Sequence, residues 1–198
     1  MKAGKAILLA CILLLGGNTA GISQDFNRGI EAYEQGDFET ALRELKPLAE
    51  QGNEGAQFYL GVMFDRGKGV VQDYKEAVKW FRLAAEQGNK DAQYNVGLMY
   101  HAGRGVSQDV KKAVKWYKLG AEQFQIFAQN NLALMYATGT GVVQDDLKAH
   151  MWWNIAASLG NEAASTNRDL VAENFTQAQL EKAWEMAREC VANDLKGC

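Results

Sequence analysis

Residues Ala92–Phe127 read A-Q-Y-N-V-G-L-M-Y-H-A-G-R-G-V-S-Q-D-V-K-K-A-V-K-W-Y-K-L-G-A-E-Q-F-Q-I-F. The same text, lightly edited, precedes it at Ala56–Asp91 and follows it at Ala128–Ala163, with no insertion between copies. A fixed period of this size means stacked supersecondary units, not a closed globule around one central site. The expected architecture is therefore all-α, and the expected role is binding rather than chemistry.

Each copy reads as helix, loop, helix. In the first, Ala56, Leu60, Met63 and Phe64 fall at helical spacing. Gly61, Gly97 and Ala133 share one slot. Glycine inside a helix costs about 1 kcal/mol relative to alanine, so close packing of the second helix has to offset it. The loops carry Gly67-Lys68-Gly69-Val70, Gly103-Arg104-Gly105-Val106 and Gly139-Thr140-Gly141-Val142. Asp73, Asp109 and Asp145 then stand where a helix N-cap belongs, and Glu76 completes a capping-box pattern. The second helix follows with Ala77, Trp80, Phe81, Ala84 and Ala85 on one stripe and Gly88 at its C-terminal stop.

The flanks are less regular. Residues 22–55 form a degenerate first unit: Ala41 and Gly52-Asn53 keep the period, and the G-x-G loop is missing. A terminal unit meets only one neighbour and is expected to be atypical. Residues 164–198 form a C-terminal cap. Leu170, Val171 and Phe175 suggest a short helix, and Thr176 with Gln179 makes a capping box opening a helix from Gln177 to about Val191. Its expected apolar face is Leu180, Ala183, Trp184, Ala187 and Val191.

Of the 198 residues, nearly half are apolar and the net charge is −3, so an electrostatic grip on nucleic acid is not expected. At the N-terminus Lys2 and Lys5 precede an apolar run from Ala6 to Leu15 and then small residues, which describes a secretory signal peptide over 1–21. The run is short for a bilayer span. A rival is lipoprotein processing, with Leu8-Leu9-Ala10-Cys11 as the lipobox. After removal of the leader two cysteines remain, Cys190 and Cys198, which in an exported chain suggests a disulfide across the end of the last helix.

The pattern A-x-x-x-(L/V)-(G/A)-x-M-(Y/F)-x-x-G-x-G-V-x-Q-D-x-x-x-A-x-x-W, three times at an unbroken period, resembles the Sel-one-like repeat (SLR) family, a relative of the tetratricopeptide repeats. Repeats are assigned to 56–91, 92–127 and 128–163, with 22–55 closer to an ordinary tetratricopeptide unit. The resemblance implies a right-handed α/α superhelix whose first helices line a concave surface, and adaptor roles in protein assembly, secretion, envelope or signalling processes. The family has no shared catalytic residue to carry over. A cysteine-rich branch is sometimes labelled β-lactamase-like; this chain has no cysteine in any repeat.

Other motifs read structurally. The G-x-G loops join helices and precede an acidic cap, which repels phosphate, so they are turns rather than nucleotide cradles. Trp80, Trp116 and Trp152, like Met63, Met99 and Met135, recur in fixed slots and are expected in the packing between units. His101 and His150 occupy different slots and read as surface residues with no metal partner. Asn174-Phe175-Thr176 is a glycosylation sequon that the capping role of Thr176 explains equally well.

No catalytic, cofactor or metal site is expected. Recognition of a peptide or protein edge is expected where slots vary inside the fixed frame, at Phe58, Tyr59, Asp65, Tyr94, Asn95, His101, Asn130 and Asn131. The reading is an exported, periplasmic or secreted, monomeric scaffold with protein partners, and no membrane span after leader removal. The alternatives are a β-lactamase-like envelope hydrolase, or a peptidoglycan or glycan binder using the tryptophans.

Overall fold

The computed structural model describes residues 18–198; residues 1–17, with most of the expected leader and Cys11, lie outside the described residues, and side-chain surroundings are described from Asp25 onward. Ten helices follow one another among the described residues: α1 (Asn18–Gln35), α2 (Phe38–Glu50), α3 (Glu54–Arg66), α4 (Tyr74–Glu86), α5 (Lys90–Ala102), α6 (Val110–Ala121), α7 (Ile126–Thr138), α8 (Asp146–Ser158), α9 (Glu162–Ala172) and α10 (Gln177–Ala192). Each packs against its successor up to α9, and α10 returns to α8. The fold is all-α, a helical-repeat solenoid.

The boundaries follow from capping. Asn53 and Asn89 accept the amides of Ala56 and Ala92, and Gln125 does the same for Ala128. Asp73, Asp109 and Asp145 cap the second helices as expected. Glu76, however, pairs with Lys79 at 3.2 Å rather than closing a capping box. Thr176 and Gln179 do form the reciprocal box at the start of α10.

Two glycine slots are fixed by close approach. A Cβ at Gly97 would lie 2.6 Å from the Tyr117 ring, and one at Gly61 would meet Phe81. The second glycine of each loop has a different cause. Gly105 has φ +71, and a Cβ there would fall on the Tyr74 carbonyl at the start of the preceding second helix. Gly141 stands in the same relation to Val110. Gly69 stands likewise against the Phe38 carbonyl, so the G-x-G-V loop is the hinge pin between units and recurs in each unit that follows another.

The core runs the length of the stack. Met63, Met99 and Met135 are buried, as their slot predicts. Trp80 and Trp152 are buried too, whereas Trp116 is half-buried. A polar line runs through this core. Gln57, Gln93 and Gln129, each one residue past the invariant alanine slot, donate to the carbonyls of Ala49, Ala85 and Ala121 at 3.1, 3.2 and 3.2 Å. Gln87 and Gln123 of the following turns donate back to Gln57 and Gln93 at 2.8 and 2.7 Å. One period later the donor slot holds Leu159, and the Gln129 side-chain oxygen is buried with no partner.

The C-terminal end departs from expectation in two ways. His150 is not a surface residue: it is 1% exposed, packed near the Phe175 ring, because its slot is the one that Val78 and Val114 hold in the earlier units. Burial, and secondarily the nearby Arg168, push its pKa below the ordinary imidazole value. On α10 the buried stripe is Ala183, Ala187 and Cys190, while Trp184 and Val191 of the expected apolar face are exposed. Cys190 is disulfide-bonded to Cys198, with Cα atoms 5.8 Å apart, and the bridge sits beside fully buried Leu195. The bridge lies on the same inward side of α10 as Ala183 and Ala187.

Candidate functional site

The slots that vary lie on α3, α5 and α7, and the structure distributes them unevenly. Phe58 packs against Tyr59 and Phe81, with ring centroids 5.5 and 6.0 Å apart. Tyr59 meets Tyr33 at 5.3 Å. Burial raises the Tyr59 phenol pKa, with Glu34 the next contributor and Tyr33 and Asp91 behind it. The Asn95 amide bonds the Asp91 carbonyl of its own helix at 2.8 Å. Asn130 accepts from the Trp153 indole at 3.1 Å, so it holds the second helix in place.

Tyr94, His101 and Asn131 come together. Tyr94 packs at a tilt against Tyr117 and Phe127 with ring centroids 6.1 and 5.9 Å apart. The His101 Nδ1 lies 3.4 Å from the Tyr117 hydroxyl. Burial raises both phenol pKa values, and the Asn131 side chain opposes the rise in each. A phenol, an imidazole and an amide from α5 and α7 thus share one half-buried patch that crosses a unit boundary and rests on the fully buried Tyr117 of α6. Such a patch offers donors and acceptors beside aromatic faces, which suits a peptide backbone with side chains.

Asp65 marks the edge of this face. It faces Arg104 of the next unit at 3.9 Å, and Arg104 lies over the Tyr74 ring at 5.7 Å. Asp65 Oδ1 and Arg104 Nε are both buried without a hydrogen-bond partner. Tyr117 is core, as its slot reads, and supports the patch from beneath, whereas Arg104 was read only as loop. Among the described residues no group of three or more His, Cys, Asp or Glu side chains could hold a metal ion. No described helix is long and apolar enough to cross a membrane.

An all-helical stack of repeated helix pairs, with a polar-aromatic patch crossing unit boundaries, defines a helical-repeat solenoid protein. The Sel1 repeat family model matches residues 55–89, 90–123 and 126–161, more than half of the chain, and the chain belongs to that family. Solved structures agree. A Sel1 repeat protein from Oxalobacter formigenes is 34% identical with a TM-score of 0.72, over 75% of this chain and 61% of that one. A protective antigen of uropathogenic Escherichia coli with an SLR fold is 31% identical with a TM-score of 0.75, over 85% of this chain and 38% of that one. This chain thus spans less than two thirds of either. The cysteine-rich protein B of Helicobacter pylori, 18% identical with a TM-score of 0.53 over 66% of this chain and 93% of that one, shares the fold. A comparison with curated proteins returns no match.

Proposed function

We propose that this chain is an exported protein-interaction scaffold that seats an extended peptide or protein edge on the face of α3, α5 and α7. The observation that carries this reading is the composite patch of Tyr94, His101 and Asn131 over buried Tyr117, which exists only because two units are stacked. Tyr59 and Asn95 extend the surface toward the N-terminus, and Asp65 supplies a carboxylate at its rim. The mechanism is non-covalent capture, with hydrogen bonds to the partner backbone and aromatic packing on its side chains. Export is supported by the basic-then-apolar start and by the Cys190–Cys198 bridge, since disulfides persist in oxidising compartments. The relative described as a protective antigen fits an envelope or extracellular setting. Buried Trp80 and Trp152 leave no tryptophan ladder for stacking on a glycan.

Site-specific photocrosslinking tests the reading. A p-benzoylphenylalanine in place of Asn95 reports on the α5 face, and one in place of Lys111 reports on the outward side of α6. Discrete adducts from position 95 in the chain's own envelope fraction are expected. They should disappear in a Tyr94→Ala/Asn131→Ala background that circular dichroism shows to be folded. Adducts from position 111 alone, or adducts at 95 indifferent to that background, overturn it.

A further inference from the structure

One slot on the three repeated second helices meets two different surroundings. Leu83 and Leu119 are 39% and 44% exposed, while Ile155, one period on, is 3% exposed. Lys79 and Lys115 are exposed where Met151 is buried. The difference is α10, which packs on α8. Asn154 and Ile155 form one wall of a groove of about 390 Å³ whose other wall is Ala187, Arg188 and Val191. The outward side of a second helix in this frame therefore seats another helix, presented through small residues, and the chain does so once itself.

On α4 and α6 the corresponding side is open. Two adjoining grooves of about 540 and 350 Å³ share Arg82. Their apolar parts include Leu83, Leu119 and half-buried Trp116, and their rims carry Lys79, Lys112 and Lys115. The segment Val110–Ala121 reads V-K-K-A-V-K-W-Y-K-L-G-A, with lysines and no acidic residue. Lys79, Arg82, Lys112 and Lys118 have carboxylates at 3.2, 3.2, 3.3 and 3.6 Å. Lys75, Lys111 and Lys115 have none within 4.0 Å among the described residues.

We propose that the outer α4–α6 face docks an amphipathic helix of a protein partner, with small apolar residues on one stripe and carboxylates flanking it. The apolar floor matches the way α10 lies on α8. The exchange of Met151 and Asn154 for Lys79 and Arg82, or Lys115 and Lys118, selects an acidic helix over one with the charges of α10. This site is separate from the α3–α5–α7 face and stands whether or not that face binds peptide.

The test uses the full chain and a fluorescein-labelled peptide of residues 177–192 carrying K182E, R188E and C190A, read by fluorescence anisotropy. Saturable binding is expected, at least tenfold weaker for the exposed-site variant Arg82→Glu/Lys115→Glu and for a scrambled peptide of the same composition. Circular dichroism verifies that the variant keeps its helicity. Absence of saturation, or equal binding of the scrambled peptide, overturns the proposal. Binding unaffected by Arg82→Glu/Lys115→Glu also overturns it, since the peptide is then replacing α10 on α8. Charge-dependent co-sedimentation with phosphatidylglycerol vesicles in place of peptide binding reassigns the face to lipid and overturns it too.

Discussion

The first two repeats and the third share one frame and are held by different means. In the first two, exposed glutamines of the turns donate to buried ones: Gln87 to Gln57, and Gln123 to Gln93. Phe81 and Tyr117 lie against glycine. In the third, Leu159 ends the glutamine relay, Ala133 replaces the glycine, and Trp153 is held instead by Asn130. The outward side of α8 is then closed by α10, itself tied by Cys190–Cys198. A solenoid can propagate only while each unit presents what the next unit needs. The third unit has exchanged that surface for one that fits a cap.

The largest break in the comparison comes from the cap. Replacing Cys190 and Cys198 together by alanine should destabilise the chain by roughly 2–4 kcal/mol, if the bridge acts as usual on the unfolded ensemble. Hydrogen exchange should rise first in α10 and in the α8 segment around Met151 and Ile155, and last in α3 and α4. Uniform loss of protection across all repeats would show that the cap and the repeats unfold as one unit.

The inner units should be most sensitive at their junctions. Gly105→Ala places a side chain at φ +71 and directs it at the Tyr74 carbonyl. A loss of roughly 1–3 kcal/mol is expected from the left-handed backbone alone, with the clash added to it. Urea denaturation should show this against Gly36→Ala, whose φ is also positive but whose Cβ meets nothing within 4 Å. Equal losses at the two sites would remove the junction from the explanation.

Much of this was legible in the sequence. The period, the Asp caps, the capping box at Thr176 and the cysteine pair are local signals, each fixed within a few residues. The glutamine relay was also there, as Gln57, Gln93 and Gln129 in one slot, but an isolated glutamine reads as surface until its repetition in a core-facing slot is noticed. His150 carried the same kind of signal, since Val78 and Val114 hold its slot. The shared patch of Tyr94, His101 and Asn131 was legible only as separate positions. Whether side chains from different units meet depends on the angle between units, and no short motif encodes it. The facing of α10 was illegible because two stripes, Leu180-Trp184-Val191 and Ala183-Ala187-Cys190, are both helical in spacing.

Two smaller effects sharpen the contrast. His150 is buried with its pKa below the ordinary value of 6.5, so the folded state resists the proton that the unfolded state accepts. Its contribution is in full force above pH 6.5 and is lost as pH falls below it, toward the folded-state value. Arg168 adds to the depression and Asp169 opposes it. Thermal melts should therefore lose stability between pH 7 and pH 5 in the parent and lose less in His150→Leu. A slope unchanged by that substitution would place the titrating group elsewhere.

The last prediction runs in the stabilising direction. Gln93→Leu should cost roughly 0.5–1.5 kcal/mol, because it removes the side-chain donor from the Ala85 carbonyl, which keeps the Gly88 amide, and takes the acceptor from Gln123. Leu159→Gln does the reverse. It restores the donor that slot holds in the earlier units, opposite a Gln129 oxygen now buried and unpaired. Leu159 is 41% exposed, so little apolar burial is given up. A gain of about 0.5–1.5 kcal/mol is expected from one new hydrogen bond, read as a higher urea midpoint at unchanged slope. The gain should vanish in the Gln129→Leu background. If Leu159→Gln is neutral or harmful, or if its effect survives without Gln129, the third unit is already satisfied on its own terms, and its break from the relay is no defect that the cap has to cover.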